Sequence, residues 1–320
     1  MPGKESPAIA VYYEHDHWFR PLFAELERRG LPYTRLHARE HNYSLDEPVE
    51  YSLLFNRMSP SAYLRGQTGA IFYTLHFLDH MERRGIRVVN GSRAYRIEIS
   101  KAAQLSLLRH LGHPVPRTRV IHDPCHAPAA ASEIGFPLVV KPNVGGSGAG
   151  IRRFDRPEDL AEAAFTDALE VGPDRTALVQ ELIPAEGGAI TRVEVLGGKF
   201  LYAIRIYPPG DVFNLCPADV CRTTDGAELI REACPADAPD HGLVVEACRP
   251  PQEVIAAVER IMGAAGIEVG GVEYITDARD GTIYFYDINA LSNFVADAPR
   301  VVGFDPVARL VDYLEQEAGR

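Results

Sequence analysis

Cysteine is scarce and scattered in this chain, with five thiols (Cys125, Cys216, Cys221, Cys234 and Cys248) in 320 residues. None sits at the C-x2-C spacing of a zinc knuckle, and a chain this large needs no disulfide framework. The four thiols between 216 and 248, with His241 nearby, therefore read as reduced side chains rather than zinc ligands. Positive charge is also short: 33 Lys and Arg face 44 Asp and Glu, a net charge of −11. That balance argues against nucleic acid or an anionic membrane surface as the main partner. No apolar run approaches the ~20 residues of a membrane span, and no signal-peptide pattern opens the chain. The expectation is a cytoplasmic protein with no membrane and no nucleic-acid partner. An apolar fraction of 46% and a charged fraction of 24% suit a globular chain of two or three domains.

What is present begins with strand–helix alternation. Residues 8–13, 32–37, 51–56 and 87–90 read as strands. Between them, Phe19, Leu22, Phe23 and Leu26 mark a helical face, and a second helix runs over 67–84. This alternation predicts a parallel sheet with helices packed on it, a Rossmann-like unit over 1–92. A helix starting near Lys101 carries Leu105, Leu108 and Leu111 on one face, and His113-Pro-Val-Pro116 links it onward. The second unit is placed at 93–178 and the third at 179–320. In the third, Val193–Leu196 and Phe200–Ile206 are expected to pair across Gly197-Gly198. Residues 208–251 lack periodicity, and a loop of that length in a compact domain is usually functional. Asp305-Pro306 reads as the start of a last helix.

Two stretches carry chemistry. In Pro137-Leu-Val-Val-Lys-Pro-Asn-Val-Gly-Gly-Ser-Gly-Ala-Gly150 an apolar strand ends in Lys141 and enters a glycine loop. Glycines let backbone N–H groups approach an oxyanion, so Gly145, Gly146, Ser147 and Gly148 can cradle phosphate beside a lysine. Far downstream, Gly271-Val-Glu-Tyr-Ile-Thr and Thr282-Ile-Tyr-Phe-Tyr-Asp-Ile-Asn289 read as a hairpin. Pairing Glu273 with Asp287 brings Glu273, Asp287 and Asn289 onto one face and leaves Arg279-Asp-Gly281 as a three-residue loop. Hard Mg2+ favours such oxygen donors, completed by water and nucleotide phosphates. Like charges set opposite one another destabilise a hairpin unless a cation compensates, and no basic residue interleaves on that face of the two strands.

In their order along the chain these pieces resemble the ATP-grasp superfamily, and within it the RimK-type glutamate ligases. The resemblance rests on Val-Val-Asn90, Lys101, Gly112-His-Pro-Val-Pro-Arg-Thr118 and Pro-Leu-Val-Val-Lys141-Pro. It continues through Val-Gln-Glu-Leu-Ile183, Thr-Arg-Val-Glu-Val-Leu-Gly-Gly-Lys199, Gly-Val-Glu273 and Asp287-Ile-Asn289. It implies an ATP-grasp fold, α/β in class with an α+β C-terminal part, behind the Rossmann-like unit. It also implies an ADP-forming ligase that joins a carboxylate to an amine through an acylphosphate, with ATP and Mg2+ as cofactors. Lys101 and Lys141 would contact the phosphates under the 145–150 lid. Gln180, Glu181 and Ile183 would line the adenine, and Glu186 the ribose. Glu273, Asp287 and Asn289 would hold the metal. Arg205 would neutralise the reaction intermediate, with Asn214 nearby. Position alone adds Arg57, Asn293 and Arg222 as substrate contacts, with His15 and His17 behind them. Departures stand at Ile190, where the family has aspartate, and after Asn289, where Ala-Leu-Ser-Asn-Phe-Val replaces Ser-Pro-Gly. Both bear on the substrate pocket. The partners implied are a small-molecule carboxylate and amine, amino acid or peptide, and relatives of this kind are often homo-oligomers. A small-molecule kinase on the same fold, phosphorylating a hydroxyl, is the alternative, and a nucleotide sensor without turnover is a second.

Overall fold

The computed structural model describes residues 8–146, 148–166, 168–207, 244–295 and 297–319. Ser147, Asn214, Arg222, Cys216, Cys221 and Cys234 lie outside the described residues, and so do the roles expected of them. The first sheet is built from β1 (Ile9–Tyr13), β2 (Tyr33–His37), β3 (Leu53–Arg57) and β4 (Arg87–Val89) in the order β2-β1-β3-β4, every pairing parallel. β1 and β3 are buried along their whole length because helices cover both faces, as a parallel sheet requires. One face packs on the helix Thr68–Arg83. The other joins the helices Arg20–Arg28 and Pro306–Ala318 in a core that includes Tyr202, Ile204 and Ile206 of the C-terminal unit.

The central sheet comprises β5 (Thr118–Ile121), β6 (Leu138–Pro142), β7 (Arg152–Phe154) and β8 (Ala177–Glu181) in the order β5-β8-β6-β7, all antiparallel. Its back is closed by the helices Ala127–Ile134 and Pro157–Phe165, which pack on Leu138, Val140 and Val179. A division at residue 178 therefore cuts through β8.

The third sheet runs β11-β10-β9-β12-β13, from β9 (Ile190–Leu196), β10 (Lys199–Tyr207), β11 (Val244–Cys248), β12 (Val269–Thr276) and β13 (Ile283–Asn289). β9 and β10 meet at Gly197-Gly198, whose φ of +59° and +70° are those of a type I′ turn. Behind this sheet lie the helices Gln252–Ala265, Ser92–Glu98 and Lys101–His110. Residues 92–112 thus pack with the C-terminal core, and through Tyr95 and Ile99 with the core of the first unit, rather than with the core of the central sheet. The short helix Ser92–Glu98 has no clear sequence signal; Gly91 at its cap offers no side-chain hydrogen bond.

Asn90 joins the first sheet to the third. Its Nδ2 donates to the carbonyls of Val269 (2.6 Å) and Ala290 (2.7 Å), while its Oδ1 accepts from Glu268 N (2.9 Å) and Val269 N (3.2 Å). Its φ of +55° is one that asparagine tolerates better than most residues. Among the described residues no helix is long and apolar enough to cross a membrane.

Candidate active site

A cavity of about 710 Å³ opens where the three units meet. β6 supplies one wall. Its alternation turns Leu138 and Val140 into the central core and Val139 and Lys141 into the cavity. Lys141 is only 5% exposed. Burial and the neighbouring Lys101 charge bring its ammonium pKa down to about 7, against the opposing pull of Asp287 and Glu273. Gly145, Gly146 and Gly148 roof the cavity, and Gly146 packs so close to the first unit that a Cβ would lie 3.4 Å from the Cβ of Ser61. Gln180, Glu181 and Ile183 line the same space, with Glu181 held by Arg117 (3.0 Å) and Arg279 (3.3 Å).

Lys101 enters from its helix N-terminus, where the Ser100 side chain caps Ala103 N. Asn143, just after β6, fixes that end. Its Oδ1 accepts from Ala102 N (2.8 Å) and its carbonyl from Lys101 N (3.2 Å). Gln104, one turn on from Lys101, exchanges hydrogen bonds with both backbone groups of Ile288 (2.8 and 3.1 Å). The helix is thereby locked to β13, and Lys101 Nζ donates to Asp287 Oδ1 at 2.5 Å. Burial opposes the Lys101 charge, but Asp287, Glu273 and Glu98 more than offset it and its pKa lies above the ordinary lysine value. Glu98 accepts from the backbone N–H of Ala290, and burial pushes its carboxyl up to about 7.

The facing wall is the hairpin. Glu273 pairs with Asp287 as the alternation implied, and Glu273, Asp287 and Asn289 all line the cavity. The loop differs from the three residues expected. A bulge after Glu273 shifts the register, so that Tyr274 faces Phe285, and the turn is Ala278–Gly281, closed by Asp277 N to Thr282 O at 2.8 Å. The extra residue is Tyr286. Strict alternation would send it to the opposite face from Asp287; the bulge brings both into the cavity, where Tyr286 donates to Glu273 at 2.9 Å. Basic side chains do reach this face, from other elements. Arg192, opposite Glu273 on β9, donates to it at 3.0 Å and to Glu194 at 2.6 Å. Burial and the Asp287 charge raise the pKa of Glu273, against Arg192, Tyr286 and Lys101.

Other expected residues lie elsewhere. Arg205 stands on the opposite face of β10 from Ile204 and Ile206, which line the cavity, and pairs with Glu246 at 3.5 Å. Three arginines, Arg153, Arg192 and Arg279, line the cavity, and the one set against its carboxylates Glu194 and Glu273 is Arg192. Arg57 is 2% exposed and grips the loop after β13, donating to the carbonyls of Ala290 (3.4 Å) and Ser292 and to Asn293 Oδ1 (3.3 Å); it does not line the cavity. Asn293 does line it, whereas Glu186 and the histidines 15 and 17 do not. His15 stacks on Trp18 at 4.2 Å, and Trp18 forms part of the cavity wall. Trp18, Glu98, Asn143, Glu194 and Tyr286 were not singled out in the sequence. For Glu194 a signal existed, since it is two residues from Arg192 on a strand.

The donor set suits Mg2+ in chemistry, with two carboxylates and an amide facing one space. Among the described residues no three His, Cys, Asp or Glu side chains converge as a metal cluster. Water and phosphate oxygens would have to complete the shell, as they usually do for this ion.

No family model matches the chain. A D-alanine–D-alanine ligase of Nitratidesulfovibrio vulgaris is 30% identical over 238 residues, 70% of this chain and 70% of that one. One from Alkalilimnicola ehrlichii is 31% identical over 216 residues, 65% of this chain and 63% of that one. The solved ATP-grasp ligase PsnB, complexed with a phosphomimetic variant of its minimal precursor, Mg and ADP, superposes with a TM-score of 0.69. It is 21% identical, and the superposition covers 98% of this chain and 100% of that chain. The chain belongs to the ATP-grasp ligases. A RimK-domain ATP-grasp protein from Sphaerobacter thermophilus has the same fold at a TM-score of 0.64 and 20% identity, over 95% and 98% of the two chains. The relatives of this ATP-grasp ligase are named for forming a bond between two amino acids, which leaves the kinase alternative without support.

Proposed function

We propose that this ATP-grasp ligase joins the carboxylate of one amino acid or peptide to the amine of another, splitting ATP to ADP. The observation that carries the reading is the single cavity in which Lys101, Lys141 and the glycine roof face Glu273, Asp287 and Asn289. Those are the parts phosphoryl transfer needs: cations for the phosphates and oxygen donors for a metal. When bound, Mg2+ would sit on Glu273, Asp287 and Asn289 and screen the phosphate charge. Lys101 and Lys141 hold the phosphates, the 145–150 segment excludes water, and Gln180, Glu181 and Ile183 bind the base. A carboxylate drawn to the terminal phosphate forms an acylphosphate; attack by the amine then forms the C–N bond and releases phosphate. Arg192, the cavity arginine beside Glu273, takes the charge of the tetrahedral intermediate in the place expected of Arg205. Asn293 contacts the substrate, and Arg57 positions Asn293.

A screen of amino acids and dipeptides in pairs, with ADP release and product masses recorded, tests this. ADP formation that needs both a carboxylate and an amine, with a product lighter than the pair by one water, is expected. ADP formation with a single hydroxyl compound and a phosphorylated product would overturn it.

A further inference from the structure

Glu194, a carboxylate of the cavity, has no place in the proposed reaction. Glu194 is 2% exposed and lines the cavity. Its Oε1 accepts from Arg192 Nε at 2.6 Å, while its Oε2 is buried without a hydrogen-bond partner. Register explains where it points. Across β10, β9, β12 and β13 one row of facing residues reads Ile204, Arg192, Glu273, Asp287, and the next reads Tyr202, Glu194, Gly271, Asn289. Gly271 leaves a gap in the second row, and the Glu194 carboxylate lies over it. A Cβ on Gly271 would meet the carboxylate carbon at 3.0 Å and its two oxygens at 3.0 and 3.1 Å. Glu194 therefore leans across β12 toward the Asn289 side.

Arg192 is shared between Glu194 and Glu273, so one guanidinium faces two carboxylates. A buried carboxylate oxygen with no donor is costly, and a cationic N–H donor relieves the cost most fully. The first unit and the loop after β13 complete an apolar wall for the cavity with Trp18, Phe294 and Val295.

We propose that Glu194 Oε2 is the docking point for the ammonium group of the amine substrate, whose apolar side chain rests against Trp18, Phe294 and Val295. This deepens the ligase reading and rests on it, because the group bound is the one that reading requires as second substrate.

Trp18 is the chain's one tryptophan and lines the cavity, so its fluorescence reports occupancy. The probes are glycinamide, alaninamide and leucinamide, which carry an ammonium and no carboxylate. N-acetyl-leucine carries the reverse. Leucinamide is expected to give a saturable change, tighter than glycinamide, and N-acetyl-leucine is not expected to compete with it. Glu194→Gln should weaken leucinamide about tenfold or more, the scale of one charge-assisted hydrogen bond. Gly271→Ala, which displaces the carboxylate and leaves its charge, should weaken it in the same direction. Titration with Mg·AMPPNP checks that both variants retain a folded nucleotide site. Equal leucinamide affinity in wild type and Glu194→Gln, or no binding to wild type, overturns the proposal. The two readings fail separately: amide binding lost in Glu194→Gln with no ADP in the paired screen would sink the ligase reading alone. ADP formation with an unchanged amine KM in Glu194→Gln would sink the ammonium site alone.

Discussion

Lysine is rare here, four residues in the whole chain, and two of the four, Lys101 and Lys141, line the cavity. Their environments push them apart. Lys101 is held charged by Asp287 at 2.5 Å, whereas burial and the Lys101 charge bring Lys141 to about 7. Above pH 7 the free protein thus holds Lys141 largely neutral, and an arriving triphosphate favours its charged form. ATP binding at pH 8 should therefore take up a proton, about one by this linkage. Calorimetry in two buffers of different ionisation enthalpy measures it, and Lys141→Met should abolish the uptake. Glu98 gives a second pH effect. Its folded pKa of about 7 lies above the ordinary 4.5, so the folded chain holds the extra proton between those values. That contribution to stability is complete below pH 4.5 and lost as pH rises toward 7. Between pH 5 and 8 the melting temperature of Glu98→Gln should fall less than that of wild type. Lys141 was legible as a buried strand lysine before a glycine loop. Glu98 was not, since it is buried by β13 and its loop, nearly two hundred positions downstream.

Among elements, the C-terminal hairpin shows how far alternation carries. The Glu273–Asp287 pairing follows from period two and a short glycine turn, and the pairing is present. The bulge at Tyr286 does not follow, because Tyr284-Phe-Tyr-Asp287 has the same β preference with or without an extra residue. The same limit applies to Arg205 and Arg192. A strand pattern shows that Ile204 and Arg205 face opposite ways, but which face meets the cavity depends on what packs behind the sheet, here the helix Gln252–Ala265. Asn90 stood out in the sequence as part of Val-Val-Asn90, though its four bonds to the third sheet were not visible there. Asn90→Ala would leave several buried backbone groups unpaired and should cost about 3 kcal/mol or more. Thermal unfolding reads this as a large loss, and an unchanged melting temperature would refute the clamp.

At the scale of the molecule, three sheets, the first and third sharing one core, enclose one cavity, and each supplies part of it. The central sheet presents Lys141 and the glycine roof. The first sheet presents Trp18 and the wall around Ser61. The third presents the oxygen donors. Alternation of strands and helices anticipated the parallel first sheet, because crossover helices leave a clear pattern. The packing of residues 92–112 on the third sheet was hidden, since helix periodicity marks a buried face and not its partner. Glu273, Asp287 and Asn289 are expected to bind a divalent ion together with a nucleotide held by the two lysines. Electron paramagnetic resonance of Mn2+ with and without AMPPNP, on wild type and Asp287→Ala, measures this binding. Wild type should bind Mn2+ much more tightly when the nucleotide is present, and Asp287→Ala should lose about tenfold or more of that affinity. Equal nucleotide-dependent Mn2+ binding by the two proteins would rule out Asp287 as a metal ligand.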